Sequence, residues 1–150
     1  LPYAGTRIES ELGKEGRLKG RQGFRDYDFL ESSLDYLHSF MTDCFGDWIM
    51  KRDGLLNTSR WARYYLAVCK KYFSPDTSLE NSERAVREAI SQSNRFFVRT
   101  ARRLVAVFRN YDHEEVADTL SLIKDDVAAK HLEYQTRLNE VFNRLEKPEP

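Results

Sequence analysis

Arginine is concentrated in one stretch of the chain, between residues 84 and 109. Glu88 is the only acidic residue within this stretch. Arg95, Arg99 and Arg102 recur at spacings of four and three, so on an α-helix they share one face. Such a face suits an acidic protein surface or a run of phosphates. Since residues 112–150 carry ten acidic and five basic residues, pairing with a neighbouring helix is the structural alternative. The seven arginines are Arg84, Arg87, Arg95, Arg99, Arg102, Arg103 and Arg109.

The first 25 residues form a second basic, glycine-rich stretch. Five of the seven glycines fall within the first 23 residues, and six basic residues outnumber three acidic ones up to residue 25. The stretch has no apolar period, so we predict an extended arm that a partner orders. Its candidate partner-binding residues are Arg7, Lys14, Arg17, Lys19 and Arg21.

The three histidines do not predict a metal site. Asp35 and His38 are spaced as in one half of a carboxylate-bridged di-iron site, but that chemistry needs a second motif and two inward glutamates, which the sequence lacks. His131 falls on an apolar stripe, which is typical of a core residue. We expect neither a metal nor a cofactor.

Residues 109–113 are similar to the Arg-Asn…His element of the HEPN ribonucleases, in which an arginine and a histidine on one helical face hold and cleave a phosphodiester. That family places more residues between the two than the three that separate Arg109 from His113. The sequence has no Gly-rich phosphate loop and no nucleophile elbow. We therefore expect no enzyme. A nucleic-acid-binding or HEPN-like ribonuclease domain is one alternative, and a helical adaptor or effector is another.

Two cysteines, Cys44 and Cys69, leave two possibilities open. If the helices that carry them are antiparallel, the two thiols lie at similar heights. A disulfide between them would then stabilise the fold by roughly 3 kcal/mol and indicate an oxidising compartment. Two buried free thiols are the alternative.

Helical periodicity begins near residue 26 and predicts four helices. The first begins at Asp28, with Glu31 completing a capping box, and ends by Gly54. The second follows residues 57–59 and ends at 74–76. The third begins at Thr77 or Ser78. A reversal at 110–112 precedes the fourth, although one long helix across 110–113 is an alternative.

Apolar residues at spacings of three and four predict the inward faces of the second, third and fourth helices. The second helix turns Trp61, Tyr65, Val68 and Tyr72 inward. The third turns inward Val86, Ile90, Ser93, Phe97, Ala101, Leu104, Phe108 and Tyr111. The fourth turns inward Val116, Leu120, Ile123, Val127, His131, Tyr134, Leu138, Val141 and Leu145.

These elements predict an all-α protein, a four-helix up-down bundle with an extended N-terminal arm. The expected division is an arm at 1–25, a bundle at 26–147 and a tail at 148–150. No alternating pattern predicts a strand. Neighbouring aromatics such as Tyr64 and Tyr65 point about 100° apart on a helix, so one of each pair should leave the core and mark a partner surface.

Composition bounds the class of partner. Lys+Arg and Asp+Glu number 24 each, so the whole molecule is not attracted to nucleic acid and none is expected. No run reaches the roughly 18 apolar residues of a membrane span, which favours a soluble intracellular protein. The chain begins at Leu1, so we expect that a cleaved targeting segment or a removed tag preceded it.

Short motifs in two helices resemble the PsbQ-like extrinsic proteins of photosystem II. Trp61 opens the second helix, with Arg63 and Tyr65-Leu66 behind it. The last helix carries Tyr134, Gln135-Thr136 and then Leu138-Asn139-Glu140-Val141 and Leu145, similar to that family's closing Asn-Glu-Val-x-x-x-Leu. The arm lacks the proline-rich character of the plant members, which favours a divergent algal one.

The resemblance implies a non-catalytic subunit in the thylakoid lumen. Such a protein docks on the photosystem II core through positive side chains and supports oxygen evolution. It meets the membrane only through that partner. The basic arm is the first docking candidate, and Arg95, Arg99, Arg102 and Arg103 are the second.

Overall fold

The computed structural model describes residues 5–21, 24–73, 77–109 and 116–146. Its elements in chain order are α1 (Arg7–Lys14), β1 (Leu18–Arg21), β2 (Phe24–Tyr27), α2 (Ser32–Met50), α3 (Leu55–Tyr72), α4 (Thr77–Arg109) and α5 (Ala117–Glu146). Helices dominate the described residues, which confirms the all-α class. None of these helices is long and apolar enough to cross a membrane. The predicted reversal at 110–112 lies outside the described residues.

The chain divides into two compact units, Leu1–Phe40 and Met41–Pro150. In the first unit, the prediction of an arm without regular structure is wrong for residues 7–14, which form α1. Thr6 caps this helix, since its Oγ1 accepts from Glu9 N at 3.3 Å while a Glu9 carboxylate oxygen accepts from Gly5 N at 2.7 Å. Gly16 ends it at φ +70°, a left-handed conformation that glycine adopts without strain.

The first unit also contains a two-stranded antiparallel sheet, which the sequence pattern did not predict. Leu18 pairs with Tyr27 and Arg21 with Phe24. The strands are only four residues long and carry several charged residues, so they lack the apolar alternation that marks a half-buried strand. Two short strands of this kind depend on neighbouring structure for their stability.

The predicted start of the first long helix is also wrong. Asp28 forms an ion pair with Lys19, and its backbone N–H donates to the Arg17 carbonyl at 2.9 Å. The helix α2 begins at Ser32 instead. Asp35, in its first turn, accepts from the backbone N–H of Phe29 at 3.1 Å.

In the second unit α3, α4 and α5 pack against one another. On α5 the predicted face is confirmed at five buried positions, namely Ile123, Val127, Tyr134, Leu138 and Val141. On α4 the buried side is rotated slightly from the prediction, because Phe96 and Thr100 are buried while Phe97 and Ala101 are half-buried. The seam of α4 consists of Leu79, Ser82, Val86, Ala89, Ser93, Phe96, Thr100, Leu104 and Phe108.

Aromatic rings from three helices meet around Trp48, which is 6% exposed. Its ring stacks on Phe96 at a centroid distance of 5.9 Å and on His131 at 5.6 Å. Tyr134 lies edge-on at 6.2 Å, and Phe45 at 5.5 Å. Edge-on and stacked rings add to the area that they bury, so this cluster fixes the last turns of α2 against α4 and α5.

The connection between α2 and α3 depends on Gly54. The sequence predicted that this glycine ends the first helix, but α2 ends at Met50 and Gly54 is the N-cap of α3. A Cβ atom there would lie 2.3 Å from the carbonyl oxygen of Asp47 and 2.9 Å from that of Trp48. Only glycine permits so close an approach of the two backbones.

Candidate interaction surface

The outward face of α4 carries an arginine row, which we define as Arg95, Arg99, Arg102 and Arg103. Leucine, alanine and arginine favour helix along this segment, and no acidic residue occurs from 89 to 109. All four side chains are exposed, on the side of α4 away from its buried seam. A shallow cavity of about 560 Å³ is lined by Asn94, Arg95, Val98, Arg99 and Arg102.

Within the described part of the chain, no residue of the arginine row forms an ion pair. The guanidinium of Arg99 lies over the ring of Phe96 at 5.7 Å, a cation–π contact that does not neutralise its charge. The expected alternative, pairing with the last helix, is therefore absent among these residues. The positive charge of the row remains available to a partner.

One acidic residue of α5, Glu133, binds cations of its own helix instead. Glu133 lies 2.6 Å from both Lys130 and Arg137, and the hydrogen bond from Lys130 lowers the pKa of Glu133. Arg137 also reaches α4, where the Oε1 of Gln92 accepts from its Nη1 at 2.7 Å. Among the described residues, this polar contact between α4 and α5 therefore does not neutralise the arginine row.

The basic residues of the N-terminal segment are mostly paired within the first unit. Arg7 lies 2.7 Å from Glu11, and Lys19 pairs with Asp28. Arg17 lies 2.7 Å from Glu15 and donates from Nε to the Asp28 carbonyl at 2.9 Å. Of the two remaining candidates, Lys14 is exposed in the last turn of α1, and Arg21 is described only as a residue of β1.

One side of α3 presents an aromatic surface, which we define as Trp61, Tyr64, Tyr65, Tyr72 and Phe73. Each of these side chains is between 44% and 68% exposed. Ring centroids lie 5.8 Å apart for Trp61 and Tyr64, and 6.3 Å apart for Tyr64 and Tyr65. Exposed tyrosine and tryptophan in such number are typical of protein–protein interfaces.

The predicted inward face of α3 is wrong, because Leu55, Ala62 and Leu66 are the residues buried there. Both members of the pair Tyr64 and Tyr65 leave the core, where one was expected to remain. The signal that could have identified the buried side is the set of small and aliphatic residues on the other side of the helix. Three aromatic residues and Val68, at helical spacing, concealed it.

The two cysteines are free thiols. Cys44 lies six residues before the end of α2, whereas Cys69 lies fourteen residues after the start of α3. At 1.5 Å per residue these positions differ by about 12 Å along the helix axes, beyond the roughly 7 Å that a disulfide allows between Cα atoms. Of the two alternatives, this offset favours free thiols, because the connection between the helices is shorter than the one that would bring the cysteines to similar heights. Burial raises the pKa of the Cys44 thiol.

Of the three histidines, the structure describes His38 in the first unit and His131 in the second. His38 lies near the Phe29 ring at a centroid distance of 6.0 Å. His131 is half-buried, and its Nε2 has no hydrogen-bond partner among the described residues. His113 and Asn110 lie outside those residues, while Arg109 ends α4. No group of three or more potential metal ligands occurs within residues 5–21, 24–73, 77–109 and 116–146.

The chain was compared with protein-family models, curated proteins and solved structures. No family model, no curated protein and no solved structure matches it. The candidate surface therefore rests on the residues and their geometry alone.

Proposed function

We propose that this protein is a non-catalytic interaction subunit that docks on the acidic surface of a larger assembly. The observation that carries the proposal is the arginine row, four exposed cations on one helix without a carboxylate partner among the described residues. A set of outward cations with no internal partner attracts an acidic surface and accelerates its encounter. On this proposal α2–α5 form the four-helix up-down bundle that holds the row rigid.

The aromatic surface on α3 supports the same function. An exposed aromatic cluster can supply the apolar contact that charge alone does not provide, since buried aromatic and arginine side chains dominate the energetics of interfaces. Arginine row and aromatic surface lie on different helices of the second unit. A partner that contacts both would therefore wrap around part of this unit.

For the identity of the assembly we propose the core of photosystem II, on its lumenal side. The support is the sequence resemblance at Trp61, Arg63 and Tyr65-Leu66 and at the Asn139-Glu140-Val141 segment of α5. In this role the protein would support oxygen evolution and reach the membrane only through the core. Rebinding to salt-washed photosystem II membranes tests it, with restored oxygen evolution expected and unchanged evolution contradicting it.

Two charge-matched variants test the docking proposal without assuming which assembly the protein binds. The first replaces Arg95, Arg99 and Arg102 by glutamine. The control replaces Arg52, Lys124 and Arg144, which are also exposed, and so removes the same net charge elsewhere in the second unit. The measurement is affinity capture from the source cell after nuclease treatment, with the recovered proteins identified by mass spectrometry.

We expect wild type and control to recover the same protein complex and the arginine-row variant to lose most of it. Exposed ion pairs contribute about 0.2–1 kcal/mol each, so losing three should weaken binding by roughly 3- to 150-fold. Equal recovery by all three proteins would refute the proposal. Recovery of nucleic acid without a protein partner, in a parallel capture that omits the nuclease, would favour the nucleic-acid-binding alternative.

A further inference from the structure

A groove runs between α3 and α4. No residue of the aromatic surface lines it, and it meets the cavity beside the arginine row at Asn94. It consists of two cavities of about 640 and 430 Å³. Both are lined by Arg63, Ile90 and Asn94, so they join into one depression. No member of the arginine row lines either of them.

The floor of the groove is apolar. Leu66 and Val86 line the larger cavity, and Leu55 and Phe97 line the smaller one. Leu56, on the wall of the smaller cavity, is 42% exposed. Apolar side chains that remain partly in contact with water in a concave site favour an apolar occupant.

The rim of the groove is basic. Arg60, Arg63, Lys70 and Arg87 line it, against the single carboxylate of Glu83. Glu83 lies 2.5 Å from Lys70 and 3.1 Å from Arg87, and the hydrogen bond from Lys70 holds its pKa below the ordinary value. Arg60 and Arg63 form no ion pair with any described residue. The rim therefore carries an excess of three positive charges.

The groove has the length of a short helix. Its α3 wall extends from Leu56 to Lys70, which is about 21 Å at 1.5 Å per residue. This length accommodates about four turns of a helix. The amphipathic faces of α4 and α5 are already buried in their own core, so these helices cannot supply the occupant without unfolding.

We propose that this groove binds an amphipathic helical segment of a partner protein, apolar on the face that enters the groove and acidic along both edges. Apolar residues at helical spacing fill the two cavities, as in other helix-in-groove complexes. Carboxylates on the edges of the segment face Arg60, Arg63, Lys70 and Arg87. No member of the arginine row lines this groove, so the proposal stands even if that row binds nothing.

The test uses three fluorescein-labelled synthetic peptides of fifteen or so residues, a length matched to about four turns. The first has leucine at positions i, i+3, i+4 and i+7 and glutamate on both edges. The second replaces each glutamate by lysine. The third contains the residues of the first in an order that breaks the leucine stripe. Binding to the full chain is followed by fluorescence anisotropy.

The acidic amphipathic peptide is expected to bind at least about tenfold more tightly than either of the others. Leu56→Glu and Arg63→Glu should each weaken its binding at least about threefold, since each places a carboxylate at the groove. The matched control is Leu132→Glu, because Leu132 is 67% exposed on α5 and lines neither cavity. Circular dichroism of each variant checks that the helices remain folded.

Equal binding of the three peptides, or binding by none, would overturn the proposal. So would an acidic peptide whose affinity is unchanged by both groove variants. Dimerisation of the chain that Leu56→Glu abolishes would assign the groove to a second copy and overturn it as well. The variant that replaces Arg95, Arg99 and Arg102 should bind the acidic peptide as tightly as wild type, even if it no longer captures a protein complex. The two surfaces are therefore tested separately.

Discussion

Two substitutions on α3, five residues apart, should have very different effects on stability. Leu66 is 5% exposed, whereas Trp61 is 56% exposed. Truncating a buried leucine to alanine costs about 2–5 kcal/mol, because transfer free energy is lost and a cavity remains. Trp61→Ala removes an exposed ring whose edge-on neighbour is Tyr64, and such a contact contributes about 1 kcal/mol or less at the surface. Leu66→Ala should therefore be the more destabilising change by at least about 1 kcal/mol.

Urea unfolding followed by far-ultraviolet circular dichroism measures this difference in the free energy of unfolding, and thermal unfolding measures it as a shift in Tm. For a chain of this size each kcal/mol corresponds to about 2–4 °C in Tm, so Leu66→Ala should melt at least about 4 °C below wild type. Trp61→Ala should melt within about 4 °C of it. A larger loss of stability for Trp61→Ala than for Leu66→Ala would indicate that the aromatic side of α3 faces the core, as the periodicity predicted. The aromatic surface would then be unavailable to a partner.

Three further predictions concern the second unit. Burial lowers the pKa of His131 from its ordinary 6.5, so the folded state favours the neutral ring. The free energy of unfolding should therefore decrease as the pH is lowered below about 6.5. His131→Phe should reduce the difference between the urea midpoints at about pH 7.5 and pH 5.5, and an unchanged difference would contradict this. Gly54→Ala should lower the free energy of unfolding in urea by about 1–3 kcal/mol, because the new Cβ would lie 2.3 Å from a backbone oxygen. Gly46→Ala, whose Cβ would have nothing within 4 Å, should be neutral or stabilising by up to about 1 kcal/mol. Equal effects of the two substitutions would refute the close approach at Gly54. Cys44 and Cys69 should each take up one alkylating label in denaturant without reductant, and reductant should leave Tm unchanged, whereas an unlabelled protein would indicate a disulfide.

The sequence predicted the core most accurately where apolar and charged residues alternate cleanly. On α5 the buried positions recur at spacings of three, four and seven, between charged neighbours such as Asp125 and Asp126. Because the other faces of α5 carry these charged residues, only one face of this helix can be buried. On α4 the error was a rotation of one position, because Phe96 and Phe97 are both large and apolar, and the packing of helices determines which ring enters the core.

The N-terminal unit was missed for a different physical reason. Its helix α1 depends on local capping, in which Thr6 and Glu9 form a capping-box pattern that the sequence does display. The sheet that follows is held by backbone pairing and by contacts such as Arg17 with the Asp28 carbonyl. Neither depends on a long apolar period, so periodicity could not identify them.

For the candidate surface, spacing predicted that Arg95, Arg99 and Arg102 share a face. It could not predict their pairing, because ion pairs between helices depend on axial register and rotation. The groove between α3 and α4 likewise depends on how two helices pack. No pattern within α3 or α4 alone specifies its depth.

The most direct test of the proposed docking function is affinity capture of the wild-type protein from its source cell across a salt series. At about 1 M salt charges are screened within roughly 3 Å, so contacts made by exposed arginines should fail. We predict recovery of one large protein complex at low salt and its release as salt approaches about 1 M. A complex that stays bound at high salt, or capture that yields no protein partner at any salt concentration, would contradict docking through the arginine row.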